Sequence, residues 1–150
     1  MKATVKNQET SPKYELTNET TEVKDHLYGR VRTLYRIKAL RSFGSVKKGD
    51  LGGFIESEYN LSHDGNCWVG DDAKVYNAAM VWGHAKVFEN AIICDEACVN
   101  GFAKVYGNVR AYGKAIIGGR ARVFGDTQLI LGAWVTGRKE ISTGLISFCR

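Results

Sequence analysis

The chain has 150 residues, 44% of them hydrophobic, with a net charge of +5 and 17 glycines against a single proline. That length suits one domain with a buried core, and no apolar run approaches the roughly 18–20 residues of a membrane span, which excludes a helical integral membrane protein. The charge permits an anionic partner without demanding one, because what matters is where the cations sit.

Residues 1–12 are polar and aperiodic, and a disordered tail is expected there. The opening MKATVKNQETSPK has no apolar stretch of the kind a secretory signal needs. The four cysteines are therefore read as free thiols in a reducing cytoplasm. Residues 13–62 read as an N-terminal β cap with an irregular first coil. Two strand-like runs, Tyr14–Leu16 and Thr33–Leu40, flank a polar stretch containing Gly29 that reads as a long hairpin loop. Lys47-Lys48-Gly49-Asp50 and Gly52-Gly53 have turn chemistry and lack the spacing of a phosphate-binding P-loop. Phe54-Ile55 opens the first coil, and residues 56–60 are expected to protrude as a loop.

Residues 63–142 carry a six-residue repeat. Every sixth residue from Val69 is aliphatic or Ala: Val75, Val81, Val87, Ile93, Val99, Val105, Ala111, Ile117, Val123, Leu129, Val135 and Ile141. Two positions before each stands a small residue, such as Cys67, Ala73, Ala79 or Ala85. A short fixed period of this kind marks a β-helix. The aliphatic and small residues point inward. The two residues between them turn a corner, where Gly, Asn or Asp accepts positive φ. Three hexads make one triangular coil, and the regular hexads give slightly more than four coils. The apolar, off-period Leu145–Phe148 makes residues 143–150 a C-terminal cap over an otherwise open sheet edge.

Because neighbours of an inward residue point outward in a strand, the period maps the surface. On the first face, built on Val69, Val87, Val105 and Val123, the outward columns are Trp68, Lys86, Lys104, Arg122 and Gly70, Phe88, Tyr106, Phe124. The corner leading into it carries His84, Phe102, Arg120 and Arg138. Cations interleaved with aromatic rings suit phosphate and base contacts or an acidic protein partner. Stacked rings and edge lysines also serve a flat sheet with no ligand at all. The second face, with Lys74, Tyr76, Ile92, Cys94, Arg110 and Tyr112 outward, is mixed and takes no role. The third face shows Met80, Trp82, Cys98, Ile116 and Trp134 and no charge. An apolar stripe of that kind is expected to be covered, by a second copy of the chain or by the hairpin.

Little points to catalysis, a cofactor or a metal. His84, at a corner, is the one histidine within the regular hexads; His26 and His63 fall in the cap region. Cys94 and Cys98 leave different faces and cannot converge on a metal, which needs about four ligands. Cys67 takes an inward position. Asp71-Asp72, Asp95-Glu96 and Asp126 are corner carboxylates, expected to be solvated.

The hexads VYGNVR, VWGHAK and VFENAI resemble the left-handed β-helix of the hexapeptide-repeat family, and the left hand is implied by that resemblance alone. Its best-known members are trimeric acyltransferases with a histidine base, which would make His84 the base of an acyl-CoA-dependent enzyme. The chain lacks their inserted loop and C-terminal helix. The segment LYRIKALRSFGSVKKGDLGGFIESEYNLSHDGNCWV resembles a cap-plus-helix group of small phage and prophage proteins. That resemblance implies an intracellular, cytoplasmic inhibitor of a nucleic-acid-targeting host defence complex, of the anti-CRISPR kind. It would be non-enzymatic and cofactor-free, and a homo-oligomer through Met80, Trp82, Cys98, Ile116 and Trp134. Its partner, a protein or ribonucleoprotein complex, would be met by Lys86, Lys104, Arg120, Arg122, Phe88, Phe102, Tyr106 and Phe124. Capture of an anionic nucleotide by the same strip, or an acyltransferase, are the alternatives.

Overall fold

A computed structural model of the chain describes residues 11–25 and 28–147. Residues 1–10 of the expected tail, His26 and the last three residues of the expected C-terminal cap lie outside the described residues. The fold is an all-β parallel solenoid of about five turns. Its one helical element among the described residues is a 3-10 turn at Glu58–Asn60, so none is long and apolar enough to cross a membrane.

The hexads become two-residue strands that pair in parallel with strands one coil away, 18 residues on. The first face stacks Trp68–Val69, Lys86–Val87, Lys104–Val105, Arg122–Val123 and Glu140–Ile141. The third face stacks Met80–Val81, Cys98–Val99, Ile116–Ile117 and Trp134–Val135. The aliphatic residues from Val69 to Leu129 are fully buried or nearly so, as are the small residues beside them. A core built this way has no room for growth, since each coil sits one strand spacing, about 4.8 Å, from the next. Positive φ falls at the corners, on Gly83, Gly101 and Gly119 in one column and on Asn77, Asp95, Gly113 and Leu131 in another.

The front of the chain departs from the sequence reading. β1 (Tyr14–Lys24) and β2 (Val31–Ala39) form one long antiparallel hairpin. The stretch read as a loop is strand up to Lys24. Its Thr17, Thr20 and Thr21 are β-branched and favour extended backbone. Most of it stays partly or fully exposed, so the apolar alternation that would have marked it is absent. The turn is confined to the tip, where Asp25 N–H donates to Arg30 O and Gly29 N–H to Asp25 O, both at 2.7 Å.

β3 (Leu51–Ile55) pairs antiparallel with β2 and parallel with Lys74–Val75, so the hairpin extends the sheet of the second face. Gly52-Gly53 is therefore strand and not turn. A Cβ at Gly52 would lie 2.5 Å from Val69 O, and one at Gly53 2.6 Å from Ala73 O. Close backbone approach, not turning, is why these two are glycine. The Lys47–Asp50 turn forms as read, with Asp50 N–H donating to Lys47 O at 2.9 Å and Gly49 at φ 95.

The hairpin also folds over the outer side of the second face. Leu34 packs with Phe54, Tyr76 and Cys94 in a second small core. Tyr76 and Cys94, read as outward, are consequently buried. At the front end of the stack, Tyr14, Phe43 and Lys13 close over Trp68, which is buried and not displayed on the first face. Lys13 Nζ donates to Cys67 O at 2.8 Å and Gly65 O at 3.2 Å, and Tyr14 Oη to Leu61 O at 2.6 Å. These side chains satisfy backbone carbonyls near the front end of the stack, where no preceding coil covers the first face.

Candidate functional site

The first face, beyond its capped beginning, is open. Lys86, Lys104 and Arg122 stand in direct register on adjacent strands. Beside them run the rings of Phe88, Tyr106 and Phe124, stacked at 4.8 and 5.2 Å with interplanar angles of 10° and 6°. Uniform stacking follows from uniform coil spacing, which holds equivalent rings one strand apart. At the preceding corner His84 stacks on Phe102 at 4.8 Å, and the Arg120 guanidinium lies 4.6 Å over the same Phe102 ring. Phe102, Lys104, Arg120, Arg122 and Arg138 surround a cleft of about 430 Å³, with Glu140 as its single acid.

The strip brings together all eight residues expected to carry a partner contact. Lys86, Lys104, Arg122 and Arg138 form no ion pair with any described residue. Three like charges in register repel one another, a cost to the fold that an anionic partner would relieve. The opposite edge of the face is acidic and tied down. Asp71 Oδ2 accepts Glu89 N–H at 3.0 Å, and Glu89 Oε1 accepts Gly107 N–H at 2.9 Å. Those carboxylates serve the backbone from one coil to the next, whereas Lys86, Lys104 and Arg122 form no ion pair among the described residues.

On the third face Met80, Cys98, Ile116 and Trp134 form one column in register. Trp134 is 71% exposed, Trp82 44% and Ile116 40%. Trp82 Nε1–H donates to Cys98 Sγ at 3.0 Å. The hairpin lies over the second face, so it leaves this stripe uncovered.

The histidines and cysteines take structural places. His84 Nδ1 accepts Asn66 N–H at 3.3 Å, which fits a turn residue better than a free base. His63, without a partner in the sequence reading, stacks on Tyr14 at 4.2 Å, accepts Lys13 N–H through Nδ1 and meets Glu58 Oε1 through Nε2 at 2.7 Å. Burial pushes the Cys67 thiol up and the Lys13 ammonium down from their ordinary ranges. Cys94 lies under the hairpin and Cys98 on the third face. No group of three or more His, Cys, Asp or Glu side chains that could hold a metal ion occurs among the described residues.

A second concavity was invisible in the sequence. It lies at the corner between the second and third faces, opposite the basic strip, and has a volume of about 870 Å³. The hairpin tip and the Ser57–Asn60 turn wall it. Along its wall runs a half-buried network anchored on the buried Asp25: Arg32 Nε meets Asp25 Oδ2 and Arg32 Nη1 meets Glu56 Oε2, both at 2.7 Å. Asn77 Nδ2 donates to Asp25 Oδ2 at 3.0 Å, and Asn77 N–H to Glu56 Oε1 at 2.8 Å. Asn60, read as part of a protruding loop, is fully buried and ties Glu56 and Ser57 to the carbonyls of Asn77 and Ala79. Asp95, read as a solvated corner acid, is buried too, and its Oδ2 accepts Gly113 N–H at 2.8 Å. The sequence signal for this region was the column Asn77, Asp95, Gly113, whose positive φ places each on one corner.

No protein-family model matches the chain, and no curated protein matches it either.

Proposed function

We propose that the chain is a non-enzymatic binding protein whose first face docks on a polyanionic surface, that of a nucleic acid or a ribonucleoprotein complex. The observation that carries this reading is the register of Lys86, Lys104 and Arg122 beside the Phe88–Tyr106–Phe124 ring stack, with one acid, Glu140, at the end of the column and no ion pair to these cations among the described residues. Ammonium and guanidinium groups neutralise phosphates, and exposed ring faces or ring edges accept bases with little sequence preference. The Phe102 cleft adds Arg120 and Arg138 to the same field.

Resemblance to phage-type hexapeptide-repeat proteins supports the narrower form of the proposal. In that form the chain is a left-handed β-helix from a phage or mobile element that inhibits a nucleic-acid-targeting defence complex in the host cytoplasm. It assembles with itself through Met80, Trp82, Cys98, Ile116 and Trp134.

The test is a tagged pull-down from bacterial lysate, with and without nuclease, beside a Lys86/Lys104/Arg122→Glu variant. Bound proteins are read by mass spectrometry and nucleic acids by extraction. A specific ribonucleoprotein or nucleic acid captured by the wild type and lost in the variant is the expected result. Capture that survives the charge reversal removes the first face from the account.

A further inference from the structure

The cleft at the opposite corner has the volume of a small-molecule site, which ranges over roughly 300–1,000 Å³, and a chemistry opposite to that of the strip. Tyr28 and Tyr59 line it and stand 70% and 57% exposed, and the Arg30 guanidinium lies 5.9 Å from the centre of the Tyr28 ring, which already attracts a cation. Its one fixed cation is already matched by two carboxylates, because Arg32 gives Nε to Asp25 and Nη1 to Glu56. An incoming anion would therefore meet a neutralised guanidinium and the carboxylates of Glu56, Asp95 and Glu96. The remaining cation, Lys114, reaches Glu96 Oε1 only at 3.7 Å, and the two side chains are 79% and 61% exposed. Such a pair is loose and easily exchanged. Lys114 is in effect a tethered occupant of a place where a better cation can sit.

We propose that this cleft binds an organic cation, a guanidinium or ammonium group on an apolar stem, whose head replaces Lys114 at Glu96 and whose stem lies against Tyr28 and Tyr59. Ring faces attract a cation as well as covering its stem. The corner that carries Glu96 is rigid, since Asn77 Oδ1 accepts Asp95 N–H at 3.1 Å and Asp95 Oδ2 accepts Gly113 N–H. The cation therefore meets a carboxylate on a fixed corner, which reduces the ordering cost of binding. The site is independent of the basic strip and survives even if the strip binds nothing.

The test is isothermal titration calorimetry on the full chain with two probes, agmatine and N-acetyl-arginine N-methylamide. Binding of agmatine alone identifies a free amine as the ligand class, and binding of the blocked arginine identifies a side chain of a partner; either supports the site. Glu96→Gln is expected to weaken binding about fivefold, and Tyr59→Ala by about three- to tenfold. Lys114→Gln removes the competitor and is expected to tighten binding, an outcome that a merely structural role for Lys114 does not give. Lys104→Glu, on the strip, leaves the affinity unchanged. Absence of heat with both probes overturns the proposal, and so does binding that ignores Glu96→Gln and Tyr59→Ala or weakens in Lys114→Gln. Glu96, Tyr59 and Lys114 are all exposed, so the variants are expected to fold, and a thermal melt of each checks this.

Discussion

The basic strip and the cleft are both built from charges and rings, yet their charges are spent differently. On the strip, cations recur at one position of three successive coils, between Trp68 and Glu140, and form no ion pair among the described residues. In the cleft, charges come from the hairpin, the Ser57 turn and the corner column, and most are bound to one another. A solenoid stacks equivalent positions one strand apart, so successive coils can build a column of like charge, here Lys86, Lys104 and Arg122, that an outside partner would neutralise. Irregular segments packed onto the coils mix signs and satisfy them internally. The first arrangement costs a little stability and offers contact; the second holds the hairpin in place.

Asp25→Asn strikes the internal network directly. Asp25 is fully buried and holds both Arg32 and Asn77, so loss of its charge is expected to destabilise the fold by about 3 kcal/mol. Urea denaturation measures this, and the first-face ring stack should be unaffected up to the transition. The same mutation on the strip side has no counterpart: Lys104→Glu should change stability by less than about 0.5 kcal/mol. Gly101→Ala tests the strip's own corner. Its φ of 66 and an added Cβ only 2.9 Å from Gly119 N predict a loss of about 2 kcal/mol, with weakened partner binding because Phe102 follows directly.

The covered side can also be read by pH. Burial, with the Asp95 charge adding to it, pushes the Cys94 thiol from 9.0 up to about 12. The unfolded chain releases that proton near pH 9 while the native state keeps it, so the native state loses stability between pH 9 and 12. Cys94→Ala should flatten that fall by at most about 1.4 kcal/mol per pH unit, read from urea curves at about pH 8 and about pH 10. Leu131 gives an effect of the opposite sign. It is an exposed, bulky residue at φ 56 in the column that otherwise holds Asn77, Asp95 and Gly113. Leu131→Asn should raise stability by up to about 1 kcal/mol.

The strip was legible because its residues belong to the period. Once Val69, Val87 and Val105 point inward, Lys86 and Lys104 have only one place to go. The apolar stripe of the third face followed for the same reason. The hairpin was not legible, because Thr17 to Lys24 lie mostly outside any core and so carry no apolar alternation. Burial of Tyr76, Cys94 and Trp68 followed from what the hairpin and Phe43 cover, which no period encodes. The cleft combines Tyr28, Arg32, Glu56 and Asp95 from segments far apart in sequence, and only the pairing of β2 with β3 brings the first of them to the coils. Asn60 is the instructive case. A polar residue in a polar pentapeptide reads as surface, yet its amide is buried because it bonds four backbone groups there.

The most direct measurement is the affinity of a fluorescent single-stranded RNA for the wild type and for Lys104→Glu/Arg122→Glu across a salt series. The account predicts binding at low salt, a log–log slope of about −2 for three neutralised phosphates, and a clearly shallower slope with weaker binding in the variant. Absence of binding at low salt, or a slope that is the same in both proteins, would contradict the first face as a polyanion site.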